Sequence, residues 1–180
     1  MPKPAKRFAK IYTEITTVCN LNCEFCHGTI RPAKFISVED FALFARKTVP
    51  FTDHIYLHVM GEPLLHPQLG ELIDIASGEG LKVSITTNGT LLKKRGLELL
   101  EAGAEKVSIS LHSFEEDDEA GYRSYLQQVA EFADTATKNG MIVNFRLWNK
   151  GVDEGRNQIA IAFLQSYFSD PWTENTRGYR

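Results

Sequence analysis

Cys19, Cys23 and Cys26 are the only cysteines in 180 residues, and they fall within one window, Cys19-Asn20-Leu21-Asn22-Cys23-Glu24-Phe25-Cys26. An odd set of thiols cannot close wholly into disulfides, so a crosslinking framework accounts for them poorly. Thiolates this crowded repel one another unless a cation lies between them, and soft sulfur ligands suit iron–sulfur clusters, zinc or haem-linked arrangements. The spacing is C-x3-C-x2-C, and no fourth cysteine exists. A cubane cluster takes four thiolates. Three would leave one iron open, and an open position marks a metal that does chemistry. The stretch reads as the site of a differentiated [4Fe-4S] cluster.

Two other chemistries use the same residues. His27 directly follows Cys26, which would make a Cys3His zinc knuckle, although structural zinc sites usually divide their ligands into two separated pairs. Cys23-Glu24-Phe25-Cys26-His27 also matches C-x-x-C-H, the haem attachment pattern. That attachment requires export, and MPKPAKRFAKIYTEIT carries no apolar signal core. It would also leave Cys19 idle.

The rest of the chain must position these thiols. With 43% hydrophobic and 24% charged residues, it has the composition of an ordinary globular protein. A net charge of −3 lends no support to general nucleic-acid affinity. Apolar runs fall short of a membrane span, and clustered thiols without an export signal point to the reducing cytoplasm. The length suits one domain across residues 1–180, with a core over about 9–168. The basic start is expected to be loosely held, and residues 171–180 read as a connector.

Alternation of β-branched and aromatic residues predicts strands over 10–16, 54–59, 81–86, 106–111 and 141–148. Helical spacing predicts helices over 41–48, 67–77, 91–102, 122–138 and 154–168. The first is capped by Ser37 with Asp40 at its third position, and the fourth is stopped by Asn139-Gly140. An acidic loop, 115–119, precedes the fourth helix. Five strands alternating with five helices argue for an α/β fold with a parallel sheet of right-handed βαβ units. Strand interiors read as apolar enough to be covered on both faces. The unusual peptides all lie at C-terminal strand ends: the cysteines, Gly61-Glu62-Pro63, Thr87-Asn88-Gly89, His112-Ser113 and Arg146. In barrels and part-barrels that rim is where ligands bind.

These residues, in this order, resemble the radical S-adenosylmethionine (radical SAM) enzymes. The resemblance covers about residues 9–150. It rests on Cys19, Cys23 and Cys26, on aromatic Phe25 before the last cysteine, on Gly61-Glu62-Pro63, on Thr87-Asn88-Gly89, and on Ser110 with His112. Met60-Gly61 stands where the family has a glycine pair. The family implies a partial (βα) barrel of about five to six parallel strands with outer helices. It also implies a [4Fe-4S] cluster on the three cysteines, with SAM on the open iron through its amino and carboxylate groups.

Carried over residue by residue, the resemblance implies that Glu62 accepts a hydrogen bond from the SAM amino group. Gly61 permits the close approach and Pro63 fixes the turn. Asn88 would contact SAM directly, and Ser110 and His112, two apart on one strand, would reach the ribose. Arg146, read as a buried charge needing an anionic partner, would hold the SAM carboxylate. The Phe25 backbone would lie near adenine, with its ring packed over the cluster. Each has a plainer alternative: a solvated carboxylate for Glu62, an ordinary Asn-Gly turn for Asn88, a core or capping role for Ser110 and His112, an ion pair for Arg146. His27, His58 and His66 read as polar supporting groups rather than ligands.

The implied chemistry is one-electron. A flavodoxin- or ferredoxin-like donor reduces the cluster, SAM is split to methionine and a 5′-deoxyadenosyl radical, and the radical takes a hydrogen atom from substrate. Thr-Asn-Gly-Thr-Leu-Leu and Arg-Leu-Trp-Asn resemble members that modify peptides or proteins and carry auxiliary clusters in a C-terminal extension. This chain has no such cysteines and no evident sixth strand, as in a compact five-unit member or a shortened form of a longer protein. An iron–sulfur electron carrier and an inactive cluster-binding module are the other function classes.

Overall fold

The computed structural model describes residues 7–114, 118–147 and 154–169. All but Arg7 of the expected loose start (residues 1–7), most of the acidic loop (115–117), the end of the fifth strand at Trp148 and the connector (171–180) lie outside the described residues. Five strands form one parallel sheet in sequential order: β1 (Ile11–Tyr12), β2 (His54–Tyr56), β3 (Lys82–Thr87), β4 (Lys106–Ser110) and β5 (Ile142–Arg146). The crossovers are α1 (Val38–Thr48), α2 (Leu69–Gly78), α3 (Leu92–Glu101) and α4 (Glu119–Lys138), with α5 (Glu154–Tyr167) after β5. Right-handed crossovers between sequential neighbours must all fall on one face of the sheet. Accordingly α1 packs on α2, α2 on α3, α3 on α4 and α4 on α5. This is the expected partial-barrel α/β architecture.

Local signals explain most boundaries. Ser37 Oγ accepts from the Asp40 N–H at 3.1 Å, capping α1. Asp118 accepts from the N–H groups of Ala120 and Gly121, so α4 starts earlier than its apolar periodicity alone suggests. Gly140 takes φ +83° at its end. β1 and β2 are shorter than alternation predicts, each for an identifiable reason. β1 stops because Ile15 to Thr17 turn to pair antiparallel with the chain returning at 34–36. β2 stops because the Thr86 N–H donates to His58 Nδ1 at 3.1 Å instead of extending the ladder.

The sheet is covered on one face only, which corrects the expectation that both faces are apolar. Ile55, Val83, Ile85, Val107 and Ile109 point toward the helices and are at most 1% exposed. They pack beneath Leu69, Leu72, Ile73, Leu99, Leu126 and Val129 in one core. The alternate residues face the concave side. A lateral row there runs Tyr12, Tyr56, Ser84, Lys106, Ile142, and the row above it Thr86, Ser108, Asn144. The side chains of these rows are mostly polar and, apart from buried Ser84, at least partly exposed, so this face is shaped for something other than apolar packing. Among the described residues no helix is long and apolar enough to cross a membrane.

Candidate functional site at the sheet's C-terminal rim

The cysteines sit on a loop closed at its neck. Thr17 N–H donates to Lys34 O at 3.0 Å and Ile36 N–H to Ile15 O at 2.9 Å. The hydroxyls of Thr16 and Thr17 donate to Lys34 O and Pro32 O. Arg31 on the return arm forms a two-pronged pair with Glu14 of the outgoing arm, at 2.5 and 2.9 Å. Glu14 Oε2 also accepts from the Met60 N–H at 3.1 Å, tying the neck to the loop after β2. Arg31 and that N–H together hold the Glu14 carboxyl below its ordinary pKa.

Within the loop Cys19 and Cys26 are exposed and Cys23 half-buried. Cys26 N–H donates to Cys23 O at 3.0 Å, and Gly28 N–H points at Cys26 Sγ at 3.4 Å. Cys23 Sγ lies 3.6 Å from Ser113 O, so the loop reaches across to the end of β4. Among the described residues no three His, Cys, Asp or Glu side chains converge on a single-ion site. Three thiols on one pinned loop, two of them exposed and a backbone N–H directed at one sulfur, fit a thiolate-held iron–sulfur cluster.

The loop after β2 is pressed against the root of the cysteine loop. Gly61 has φ +73°, and a Cβ there would stand 2.5 Å from Thr16 O and 2.8 Å from Val18 O. Its close approach is therefore to the chain just before Cys19. Glu62 N–H donates to Val18 O at 2.7 Å. The Glu62 carboxylate is 2% exposed. It accepts from Leu64 N–H (3.0 Å), Thr87 Oγ1–H (2.7 Å) and Asn88 N–H (2.7 Å). Burial raises its pKa, with the donors from Asn88, Leu64 and Thr87 opposing. Arg95 of α3 donates to the carbonyls of Leu64 and His66, holding the same loop from beneath.

The loop after β3 completes the set. Asn88 is buried; its Nδ2 donates to Asn20 Oδ1 at 3.0 Å, and its Oδ1 accepts from both Thr90 N–H and Thr90 Oγ1–H. Tyr125 of α4 donates its hydroxyl to Asn88 O at 2.8 Å, and burial pushes its pKa far up.

Ser110 ends β4 and is buried, but residues 111–113 form a tight 3-10 turn. His112 therefore does not continue the alternation, which corrects the expectation that it shares a strand face with Ser110. Its ring lies 5.2 Å from that of Phe25, which is 40% exposed, and its Nδ1 lies 3.2 Å from Arg146 O. Arg146 pairs laterally with Ser110 in the sheet. It is exposed on the concave face, which corrects the reading of a buried charge. His58 is neutral, with its Nδ1 accepting from Thr86 N–H and Nε2 at 3.1 Å from Thr86 Oγ1; burial, then Arg146 and Lys10, lower its pKa to about 4. His66 is fully buried, between Ile36 O and Gln68 N–H. His27 is exposed on the cysteine loop.

Thus the cysteines, Phe25, Gly61, Glu62, Asn88, Ser110, His112 and Arg146 share one rim. Sequence reasoning gives no site role to Glu14, Asn20, Arg31, Thr87, Thr90, Arg95 and Tyr125. Asn20, inside the cysteine window, and Thr87 and Thr90, inside the Thr-Asn-Gly-Thr run, are marked by position; the others are ordinary residues until the fold supplies their partners.

A family model described as the Radical SAM superfamily matches residues 13–151. A "Probable GTP 3',8-cyclase" of Sulfurisphaera tokodaii is 33% identical over 156 residues, covering 82% of this chain and 50% of that protein. Another from Aeropyrum pernix is 29% identical over 154 residues, covering 78% and 43%. The chain spans about half the length of the curated relatives it matches. Among solved structures, Streptococcus suis SuiB bound to precursor peptide SuiA superposes with a TM-score of 0.64 at 18% identity, covering 89% of this chain and 38% of that one. BtrN in complex with AdoMet and 2-DOIA gives 0.58 at 21% identity, covering 78% and 57%. These two share the fold.

Proposed function

Because this chain belongs to the radical SAM superfamily, whose members use a [4Fe-4S] cluster and SAM, we propose that Cys19, Cys23 and Cys26 hold that cluster at the rim and that the protein catalyses SAM-dependent radical chemistry. Held by these three cysteines, the cluster would supply the electron for reductive cleavage of SAM. The supporting observation is the pinned loop: three thiols are presented where the loops after β2, β3 and β4 meet.

This chain's own residues bind and orient. Gly61 and Glu62 set the loop that faces the cysteines, and Asn88 and Ser110 line its neighbours. The His112 and Phe25 rings meet at a tilt of 58° with centroids 5.2 Å apart, covering part of the loop's far side against water. Arg146, exposed on the top row of the concave face, is placed to meet a carboxylate.

The substrate proposed is a phosphorylated, ring-bearing small molecule of the nucleotide class. The concave face carries Lys106 and Arg146, and Lys10 stands 5.2 and 5.0 Å from the ring centres of Tyr12 and Tyr56. The cations suit the anionic groups of such a molecule, and the neighbouring aromatic rings its planar ring. This departs from the peptide substrate suggested by sequence, in keeping with the name of the curated relatives. A flavodoxin- or ferredoxin-type protein is the proposed electron donor, and the reducing cytoplasm the proposed setting.

Anaerobic reconstitution followed by assay for 5′-deoxyadenosine tests the reading. Stimulation by GTP, and loss of both cluster and product in Cys23→Ser, are expected. Full iron uptake without SAM cleavage would instead support an electron carrier or an inactive cluster-binding module.

A further inference from the structure

Asn20 occupies the position after Cys19, and its exposed side chain is held at both ends. Its Nδ2 donates to Thr90 Oγ1 at 2.8 Å, and its Oδ1 accepts from Asn88 Nδ2 at 3.0 Å. Asn88 is anchored in turn: its backbone N–H goes to Glu62 Oε2 at 2.7 Å and its carbonyl accepts from Tyr125. Glu62 returns to the cysteine loop through its own N–H on Val18 O at 2.7 Å. The path Val18, Glu62, Asn88, Asn20 is therefore a closed circuit of hydrogen bonds, and Cys19 lies between its two ends on the loop.

We propose that Asn20 is a positioning residue that locks the Cys19 turn to the rim of β3 through Asn88 and Thr90. The proposal rests on the reading that the three cysteines hold a cluster. The capacity of Asn88 supports it. A side-chain amide has two acceptor sites and two donor hydrogens. Both acceptor sites of Asn88 are filled by Thr90, and one donor is given to Asn20. The influence of the Thr87-Asn88-Gly89 turn on the cofactor then runs through the placement of Cys19. Asn20 contributes nothing to the core, so a residue with no such role would be replaceable without effect.

The test compares the wild-type protein, Asn20→Ala, Asn88→Ala and the double variant after anaerobic reconstitution, with Thr90→Val as an alternative to Asn88→Ala should that variant not fold. Iron release to a chelator and the EPR spectrum of the reduced cluster are read alongside the Tm of the cluster-free proteins. Asn20→Ala is expected to release iron about fivefold faster or more, on the usual worth of lost hydrogen bonds, with an altered EPR line shape and an unchanged cluster-free Tm. The double variant should be no faster than the faster single, because both act on one circuit. Wild-type release and EPR from Asn20→Ala, or multiplying effects in the double variant, would overturn the proposal. If the wild-type protein takes up no cluster, the cofactor reading fails instead. Hydrogen exchange of the amides at 19–26 in cluster-free protein still decides the positioning: faster in Asn20→Ala supports it, and unchanged exchange refutes it.

Discussion

The carboxylate of Glu14 and the guanidinium of Arg31 face one another across the neck of the cysteine loop, with both oxygens engaged at 2.5 and 2.9 Å. The pair closes a loop that has little apolar anchorage of its own. Because Glu14 is held below its ordinary pKa of 4.5, its contribution is present above that value and is lost as pH falls through the depressed folded value. Hydrogen exchange of residues 18–33 should therefore stay slow from neutral pH down to about 5 and quicken below the ordinary carboxylate range. Arg31→Ala should show the faster exchange already at neutral pH.

Two glycines near the site share a left-handed backbone but not its surroundings. Gly61 has φ +73°, and a methyl group added there would meet carbonyl oxygens at 2.5 and 2.8 Å, whereas Gly28 has φ +60° with nothing within 4 Å. Gly28→Ala should cost about 1–2 kcal/mol, the conformational penalty alone. Gly61→Ala should cost several kcal/mol, because backbone at Thr16 and Val18 cannot yield as a side chain can. Thermal unfolding of the two cluster-free variants checks the ordering.

Glu62→Gln keeps shape but changes one acceptor into a donor. Every partner of that carboxylate is itself a donor: Leu64 N–H, Thr87 hydroxyl and Asn88 N–H. Whichever way the amide turns, its NH2 meets a donor in a site 2% exposed. A loss of roughly 1–3 kcal/mol in unfolding free energy is expected, together with weaker SAM binding. Denaturant titration at unchanged m-value would register the first, and calorimetry with SAM the second.

His58 stays neutral well into acid. Its folded pKa near 4 lies below the unfolded value, so the unfolded chain binds the extra proton and stability declines as pH drops from about 6.5 toward 4. An NMR titration of the imidazole should show no protonation above about pH 5. His58→Ala should flatten that part of the stability profile, and it leaves the Thr86 N–H without its acceptor.

Much of this protein is legible from the chain. Cysteine spacing, helix caps such as Ser37 and stops such as Gly140, and the strand-end location of Gly61-Glu62-Pro63 and Thr87-Asn88-Gly89 are local or ordered features. They specify elements and the rim those elements share. Alternation along β3 and β4 is visible too, yet Ser84, Thr86, Lys106 and Ser108 do not by themselves rule out burial on both faces. Which face a sheet covers depends on strand order, which no single strand records.

By itself the amino-acid sequence determined that three thiols would stand at one end of a parallel βα array, because periodicity, caps and spacing act over a few residues. Only the tertiary structure decided which rim groups satisfy one another. Asn88 meets Glu62 and Asn20 at separations of 26 and 68 residues, and Glu14 meets Arg31 across a closed loop neck. A buried donor or acceptor takes whichever partner the fold brings within hydrogen-bonding distance. That is why Glu62, expected from the sequence to meet SAM, also holds its own chain in place.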